Sequence, residues 1–179
     1  HAFSASPRDC GITDAVVDAN RMAFYVADAQ GYLAHFDLES GQIEAEFQSR
    51  TRVKSLCLVG DCVYLGLDDG VQEVHFAKGT GSSILGRRFD GQKGGITSLA
   101  VSPDHRLLIS GANDCTTWVW DLRAGRVLRY SPPLDALIPP AIWQLSQEFG
   151  ISANHSFAFA FKHHREAVSC VTAFSGGMV

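Results

Sequence analysis

The sequence predicts an all-β chain of about four partial four-stranded units, and three observations carry that prediction. The first is the stretch from Ile96 to Leu128, ITSLAVSPDHRLLISGANDCTTWVWDLRAGRVL, which runs strand, turn, strand, Asp-containing turn, Trp-Asp strand, turn and outer strand in fixed order. The second is an internal period: Ile12-Thr13-Asp14-Ala15-Val16-Val17 and Val53-Lys54-Ser55-Leu56-Cys57-Leu58 align with Ile96-Thr97-Ser98-Leu99-Ala100-Val101, their starts 41 and 43 residues apart. A fixed period of that size marks supersecondary units that bury their faces only by stacking on one another. The third is strict alternation in Ser156-Phe157-Ala158-Phe159-Ala160-Phe161, which places three Phe on one face of a strand.

Within each copy the order recurs. Second strands rich in β-formers follow at Ala23–Ala27, Cys62–Gly66 and Leu107–Gly111. Tight turns come next at Asp28–Gly31, Leu67–Gly70 and Ala112–Cys115, where Asp, Asn and Gly supply positive φ or local side-chain hydrogen bonds. Third strands end at Phe36-Asp37, Val74-His75-Phe76 and Trp120-Asp121; Phe36, Phe76 and Trp120 lie 24, 23 and 24 residues beyond their unit starts. Phe36 and Phe76 carry no N–H, so their units must hold that position by packing alone. Outer strands are expected at Gln42–Phe47 and Arg126–Tyr130, after Ser40-Gly41 and Ala124-Gly125 turns. In the middle unit the run Ala77–Leu85 (AKGTGSSIL) is rich in Gly and Ser, which predicts a flexible excursion before an outer strand near Arg87–Phe89.

The units are therefore bounded at 12–52, 53–95 and 96–130, with a partial one from 157, all in one domain spanning 1–179. Between the last two lies an insertion over 131–156, punctuated by Pro132, Pro133, Pro139 and Pro140, because Pro neither donates to a sheet ladder nor continues a central strand. From Pro140 to Gly150 the pattern predicts a short helix with Ile142, Leu145 and Phe149 on one face. Val168–Ala173 reads as the first strand of the fourth unit, its 72-residue distance from Ile96 being one period plus the insertion.

The chain has 179 residues, 46% of them hydrophobic and 19% charged, a balance that describes a folded soluble domain. A net charge of −4 gives no basic footprint for nucleic acid. The local clusters at Arg50, Arg52 and Lys54, at Arg87, Arg88 and Lys93, and at Lys162–Arg165 read as solvated loops. No apolar run approaches the ~20 residues a membrane helix needs. The chain opens on His1 with no signal-like segment, which reads as part of a longer protein. Five Cys, an odd number set mostly in strands, suit reduced thiols inside the cell, in the cytoplasm or the nucleus.

Catalytic and metal motifs are missing: there is no G-x-S-x-G, H-E-x-x-H, Walker loop or C-x-x-C. Cys57 and Cys62 could approach across one hairpin, but no second ligand pair accompanies them, so no zinc site is expected. Neighbouring His163 and His164 point to opposite faces of an extended segment and cannot easily share an ion. The run GTGSSI lacks the third glycine and the following helix of a dinucleotide loop. No enzyme activity, metal or cofactor is expected.

With those residues set out, the chain resembles the WD-repeat family of β-propellers, strongly from Ile96 to Leu128 and more weakly in the two preceding copies. The resemblance implies blades of a larger ring, completed by further blades or by another chain, since an open set leaves unpaired edges. It also implies that Ser110, Asp114 and Trp120 belong to a buried hydrogen-bond network shared, in that family, with a His near the blade's start. Here Gly91–Gly95 offers Gln92 instead, so one partner is changed and the network is expected to be incomplete. Functionally, the family resemblance implies a non-catalytic scaffold that presents loops to other proteins in a large assembly. The helix residues Ile142, Trp143, Leu145 and Phe149 are the candidate partner-binding positions. The run of degenerate blades, Gly/Ser excursion and one well-formed Trp-Asp blade also resembles the WD-repeat subunit of the rixosome-type complex that matures the large ribosomal subunit. That resemblance implies a pre-ribosomal RNA–protein particle as partner and a nucleolar location. The alternatives are a peptide-recognising adaptor of a ubiquitin-ligase or chromatin complex, and part of a propeller enzyme, whose channel would need converging carboxylates and His.

Overall fold

The computed structural model describes residues 10–77, 81–92, 94–131, 156–157 and 175–176. Every element among them is a strand. Three antiparallel four-stranded sheets each pair in sequence order. The first blade contains β1 (Ile12–Asp18), β2 (Ala23–Asp28), β3 (Tyr32–Asp37) and β4 (Ile43–Gln48). The second contains β5 (Val53–Val59), β6 (Cys62–Leu67), β7 (Gly70–Phe76) and β8 (Ser83–Phe89). The third contains β9 (Ile96–Val101), β10 (Leu107–Ala112), β11 (Thr117–Asp121) and β12 (Arg126–Ser131). Beyond them β13 (Ser156–Phe157) pairs antiparallel with β14 (Ser175–Gly176). The expected helix at 140–150 and the strands at 158–161 and 168–173 lie outside the described residues.

The repeat is visible in its irregularities. In every blade the first pair of strands carries one extra residue at the same place: Ile12 pairs with Asp28 and Asp14 with Ala27, Val53 with Leu67 and Ser55 with Gly66, Ile96 with Ala112 and Ser98 with Gly111. A second irregularity recurs between the third and outer strands, at His35/Phe36, Gln72/Val74 and Val119/Trp120. Such bulges increase local twist, and their recurrence gives the three sheets a common curvature. Two of the extra residues at the first site are threonines. The Thr13 and Thr97 hydroxyls donate to the carbonyls of Ala27 and Gly111, at 3.3 and 3.1 Å.

This register corrects one alignment. Phe36 stands opposite Phe24 and Trp120 opposite Leu108, but the corresponding residue of the second blade is Val74, opposite Val63, not Phe76. The cause is turn length. Val59 pairs with Cys62 across a two-residue turn where the first blade spends four between Asp18 and Ala23. The next hairpin, from Gly66 to Val71, is also one residue shorter than that from Ala27 to Leu33. The expected excursion is likewise smaller. The outer strand begins at Ser83, opposite Phe76, and the Ala77 N–H closes onto the Ser82 carbonyl at 3.1 Å. Ladder hydrogen bonds to β7 capture Ser83–Leu85 in spite of their Gly/Ser-rich approach.

The blades stack through their innermost strands, β1 on β5 and β5 on β9. One hydrogen bond repeats at each seam. The Asp14 carboxylate accepts from the Leu56 N–H at 2.7 Å, and the Ser55 hydroxyl, at the equivalent position one blade later, accepts from the Leu99 N–H at 3.1 Å. The middle blade is buried on both faces, which explains why CVYLGL is apolar throughout rather than alternating. Val63, Leu65 and Leu67 pack towards the first blade with Val74 and Phe76, whereas Tyr64, Val71 and Phe89 pack towards the third with Ile96, Leu108 and Trp120. Gly66 belongs to the second face, where a Cβ would come within 2.7 Å of the Ile96 side chain, so the seam closes only over a glycine.

Replacing Asp14 with Ala should leave the buried Leu56 N–H without its acceptor and lower stability by about 1–3 kcal/mol. Urea unfolding measures this, with Asp14→Asn, which keeps an acceptor oxygen, falling between the two.

Candidate functional site

Three features of the described residues bear on function: the polar network inside the third blade, the outer edge of the second, and a cluster of ionisable side chains on β6 and β7.

The network is continuous. The Trp120 indole N–H donates to Ser110 Oγ at 2.9 Å, and the Ser110 hydroxyl donates to Gln92 Oε1 at 2.6 Å. The other end of the same amide, Gln92 Nε2, donates to Thr116 Oγ1 at 2.9 Å and to the Thr116 carbonyl at 3.2 Å. The Thr116 hydroxyl then donates to Asp114 Oδ1 at 2.5 Å, while Asp114 Oδ2 accepts from the Gly94 N–H at 2.9 Å. Every donor in the chain points the same way and the last acceptor is a carboxylate, so the bonds polarise one another. The incompleteness expected at Gln92 does not occur. A primary amide offers an acceptor and a donor at once, as a neutral imidazole does, and Thr116 bridges its donor to Asp114. Trp120, Ser110 and Gln92 are all nearly inaccessible, at 2%, 0% and 3% exposure. Thr116 is the one member that the sequence pattern did not single out, although a hydroxyl two residues after a turn Asp is a recurrent local signal. In the other two blades the positions of Ser110 and Trp120 are apolar, occupied by Val26 with Phe36 and by Leu65 with Val74, all buried.

The outer edge of the second blade presents two apolar side chains to solvent. Ile84 and Leu85 on β8 are 58% and 62% exposed, the most exposed large hydrophobic side chains among the described residues. Arg87 and Arg88 follow them on the same strand, and Arg88 is tied to Asp69 at 2.7 Å and Asp90 at 2.6 Å.

The cluster lies at the outer end of β6 and β7. Cys62 stands directly opposite His75, and Tyr64 opposite Glu73. Cys62 Sγ lies 3.3 Å from His75 Nδ1 and 3.8 Å from Nε2, and His75 Nε2 lies 3.2 Å from Glu73 Oε1. Glu73 is 4% exposed. Its second oxygen, Oε2, accepts from the Arg87 backbone N–H at 3.1 Å and from Arg87 Nε at 3.2 Å. Burial pushes the Glu73 carboxyl up, but the Arg87 contacts overcome it and hold the group below its ordinary value. The Cys62 thiol is pushed up to about 11, by burial first and by the Glu73 charge second. Cys57 pairs with Tyr64, not with Cys62, and burial pushes its thiol up to about 12. The neighbour of Cys62 is His75, brought there only by strand register.

A shallow polar cavity of about 220 Å³ opens between the first two blades, lined by Arg21, Tyr25, His35 and Glu44 among others. His35 stacks on Tyr25 at 4.7 Å, and burial holds its imidazole below the usual value. Ile142, Trp143, Leu145 and Phe149 lie outside the described residues.

Comparison with known proteins agrees with the blade geometry. Residues 83–121 match the family model for the WD domain, G-beta repeat. WD repeat-containing protein 36 of Homo sapiens is 43% identical over 58 residues, which make up 30% of this chain and only 6% of the human protein. Among solved structures, the computationally designed protein Ika8 superposes with a TM-score of 0.57 at 28% identity, covering 68% of this chain and 36% of that one. U3-55K superposes with a TM-score of 0.64 at 16% identity, over 72% of this chain and 41% of its own. The β-propeller domain of Cps50 (Swd1) from Myceliophteria thermophila gives 0.59 at 14% identity, over 68% and 41%. The last two, at such low identity, speak for the fold alone.

Proposed function

We propose that this chain, which carries a WD repeat in its third blade and propeller-type blades throughout its described part, is a non-catalytic scaffold for protein–protein assembly. One observation carries the reading: exposed Ile84 and Leu85 sit on the outer strand of a blade whose two faces are packed and whose seams are hydrogen-bonded. Apolar side chains held on a rigid edge lose little conformational entropy on binding, so their burial converts efficiently into affinity. The insertion at 131–156, with Ile142, Trp143, Leu145 and Phe149, is the second proposed contact, since loops grown from a fixed frame often carry binding. The assembly we put forward is one that matures the large ribosomal subunit, in the nucleus or nucleolus. Its support is the order of two degenerate blades, a Gly/Ser-rich connection and one well-formed Trp-Asp blade.

Affinity purification of the full chain with mass spectrometry tests both levels. Replacing Ile84 and Leu85 with Asp should reduce recovery of the co-purifying proteins by about tenfold while leaving the melting temperature of the scaffold unchanged, because both side chains are already in water. Polar replacements at Ile142, Leu145 and Phe149 form the second arm. A recovered set unaffected by either arm contradicts the proposed surfaces. A set without large-subunit precursors, such as a ubiquitin-ligase or chromatin complex, contradicts the ribosomal assignment.

A further inference from the structure

We propose that Cys62 Sγ, His75 Nε2 and Glu73 Oε1 form a three-ligand site for a zinc-class divalent transition-metal ion, with the fourth position open to solvent beside Gly86. The donor set is soft thiolate, borderline imidazole and hard carboxylate, a mixture that selects zinc and its cobalt analogue over magnesium or calcium. These three atoms lie within 4.8 Å of one another, and no other group of three such residues comes this close among the described residues.

Distances support the site. With bonds near 2.1 Å to nitrogen and oxygen and about 2.3 Å to sulfur, a tetrahedral ion requires an N···O edge of about 3.4 Å and an N···S edge of about 3.6 Å. The observed Nε2···Oε1 and Sγ···Nε2 separations are 3.2 and 3.8 Å. To bind, His75 would present Nε2 to the ion in place of the Nδ1 that now lies 3.3 Å from the sulfur.

Two independent features prepare the position. Arg87 holds Oε2 of Glu73 through its backbone N–H and guanidinium, which orients the carboxylate and leaves Oε1 turned towards His75. On the opposite side, residue 86 is a glycine in an exposed strand position, where a Cβ would lie 2.9 Å from both Glu73 Cδ and His75 Nε2. The absent side chain leaves room beside the Glu73 carboxyl carbon and His75 Nε2. On binding, the Cys62 thiol gives its proton to solvent, and thiolate plus carboxylate neutralise the dication; Arg87 remains paired with Oε2.

The same three residues could be read as a nucleophile, base and orienting acid. That reading fails on the environment of the sulfur: an activated thiol needs electropositive surroundings, and Cys62 is half-buried beside the Glu73 carboxylate.

Titration of the reduced full chain with Co²⁺ provides the test. The expected result is a sulfur-to-cobalt charge-transfer band and intense visible bands saturating at one equivalent, both reversed by Zn²⁺. Cys62→Ser should abolish the charge-transfer band, and Cys57→Ser should leave it intact. His75→Ala and Glu73→Gln should each weaken binding by about tenfold or more, in variants shown folded by circular dichroism. Gly86→Ala, which keeps all three ligand residues but crowds Glu73 and His75, should weaken it too. Absence of the band, or its persistence in Cys62→Ser, overturns the proposal.

Discussion

Replacing Trp120 with Ala is expected to destabilise the protein by about 3–5 kcal/mol, the range for emptying a large aromatic site in a packed interior. The side chain is 2% exposed, packs edge-on against Phe89 at 5.6 Å and stacks on Trp118 at 5.2 Å. It therefore serves two purposes that alanine cannot. It fills the seam between the second and third blades, and it satisfies the lone pair of Ser110. Trp120→Phe separates them in large part: it keeps most of the volume and loses the N–H with one edge of the indole, so it should cost about 1–2 kcal/mol. Urea unfolding of both variants measures the split, and an unchanged midpoint for Trp120→Ala would show that residue 120 is not the anchor of this seam.

Gln92 is expected to give the second largest effect. Gln92→Ala removes the acceptor of the Ser110 hydroxyl and the donor to Thr116 together, leaving buried polar groups at both ends, at a cost of about 2–4 kcal/mol. Gln92→His should recover most of that loss, because a neutral imidazole also presents one acceptor and one donor. In a double-mutant cycle with Trp120→Phe the two losses should fall short of additivity by about 0.5 kcal/mol or more, as members of one network do. Strict additivity would show that the chain of bonds does not transmit.

How far the sequence could be read depended on which physical signals are local. Blade order was legible because strands, turns and the Asp and Gly residues of those turns are encoded within a few residues. The bulges at Thr13, Lys54 and Thr97 leave no mark in composition, yet they fall in register because the starts at Ile12, Val53 and Ile96 do. Phe76 takes the place of Val74 in a count without gaps because two turns in the second blade are shorter. The Gly/Ser composition before Ser83 overstated the excursion, since pairing with β7 outweighs weak local preference. Cys62 and His75 are 13 residues apart and meet only through strand register, so no spacing motif could have joined them. The Ser110–Trp120 part of the third-blade network was legible, whereas the role of Thr116 follows from the amide at position 92, whose donor needs a hydroxyl to reach Asp114.

The amide at position 92 has one more consequence. An imidazole there would gain a proton near pH 6.5 and exchange its acceptor for a second donor, breaking the bond from Ser110 in mildly acidic surroundings. Gln92 has no proton to gain in that range. The seal of the third blade therefore keeps its donor and acceptor pattern at position 92 through acidification that would reverse a histidine.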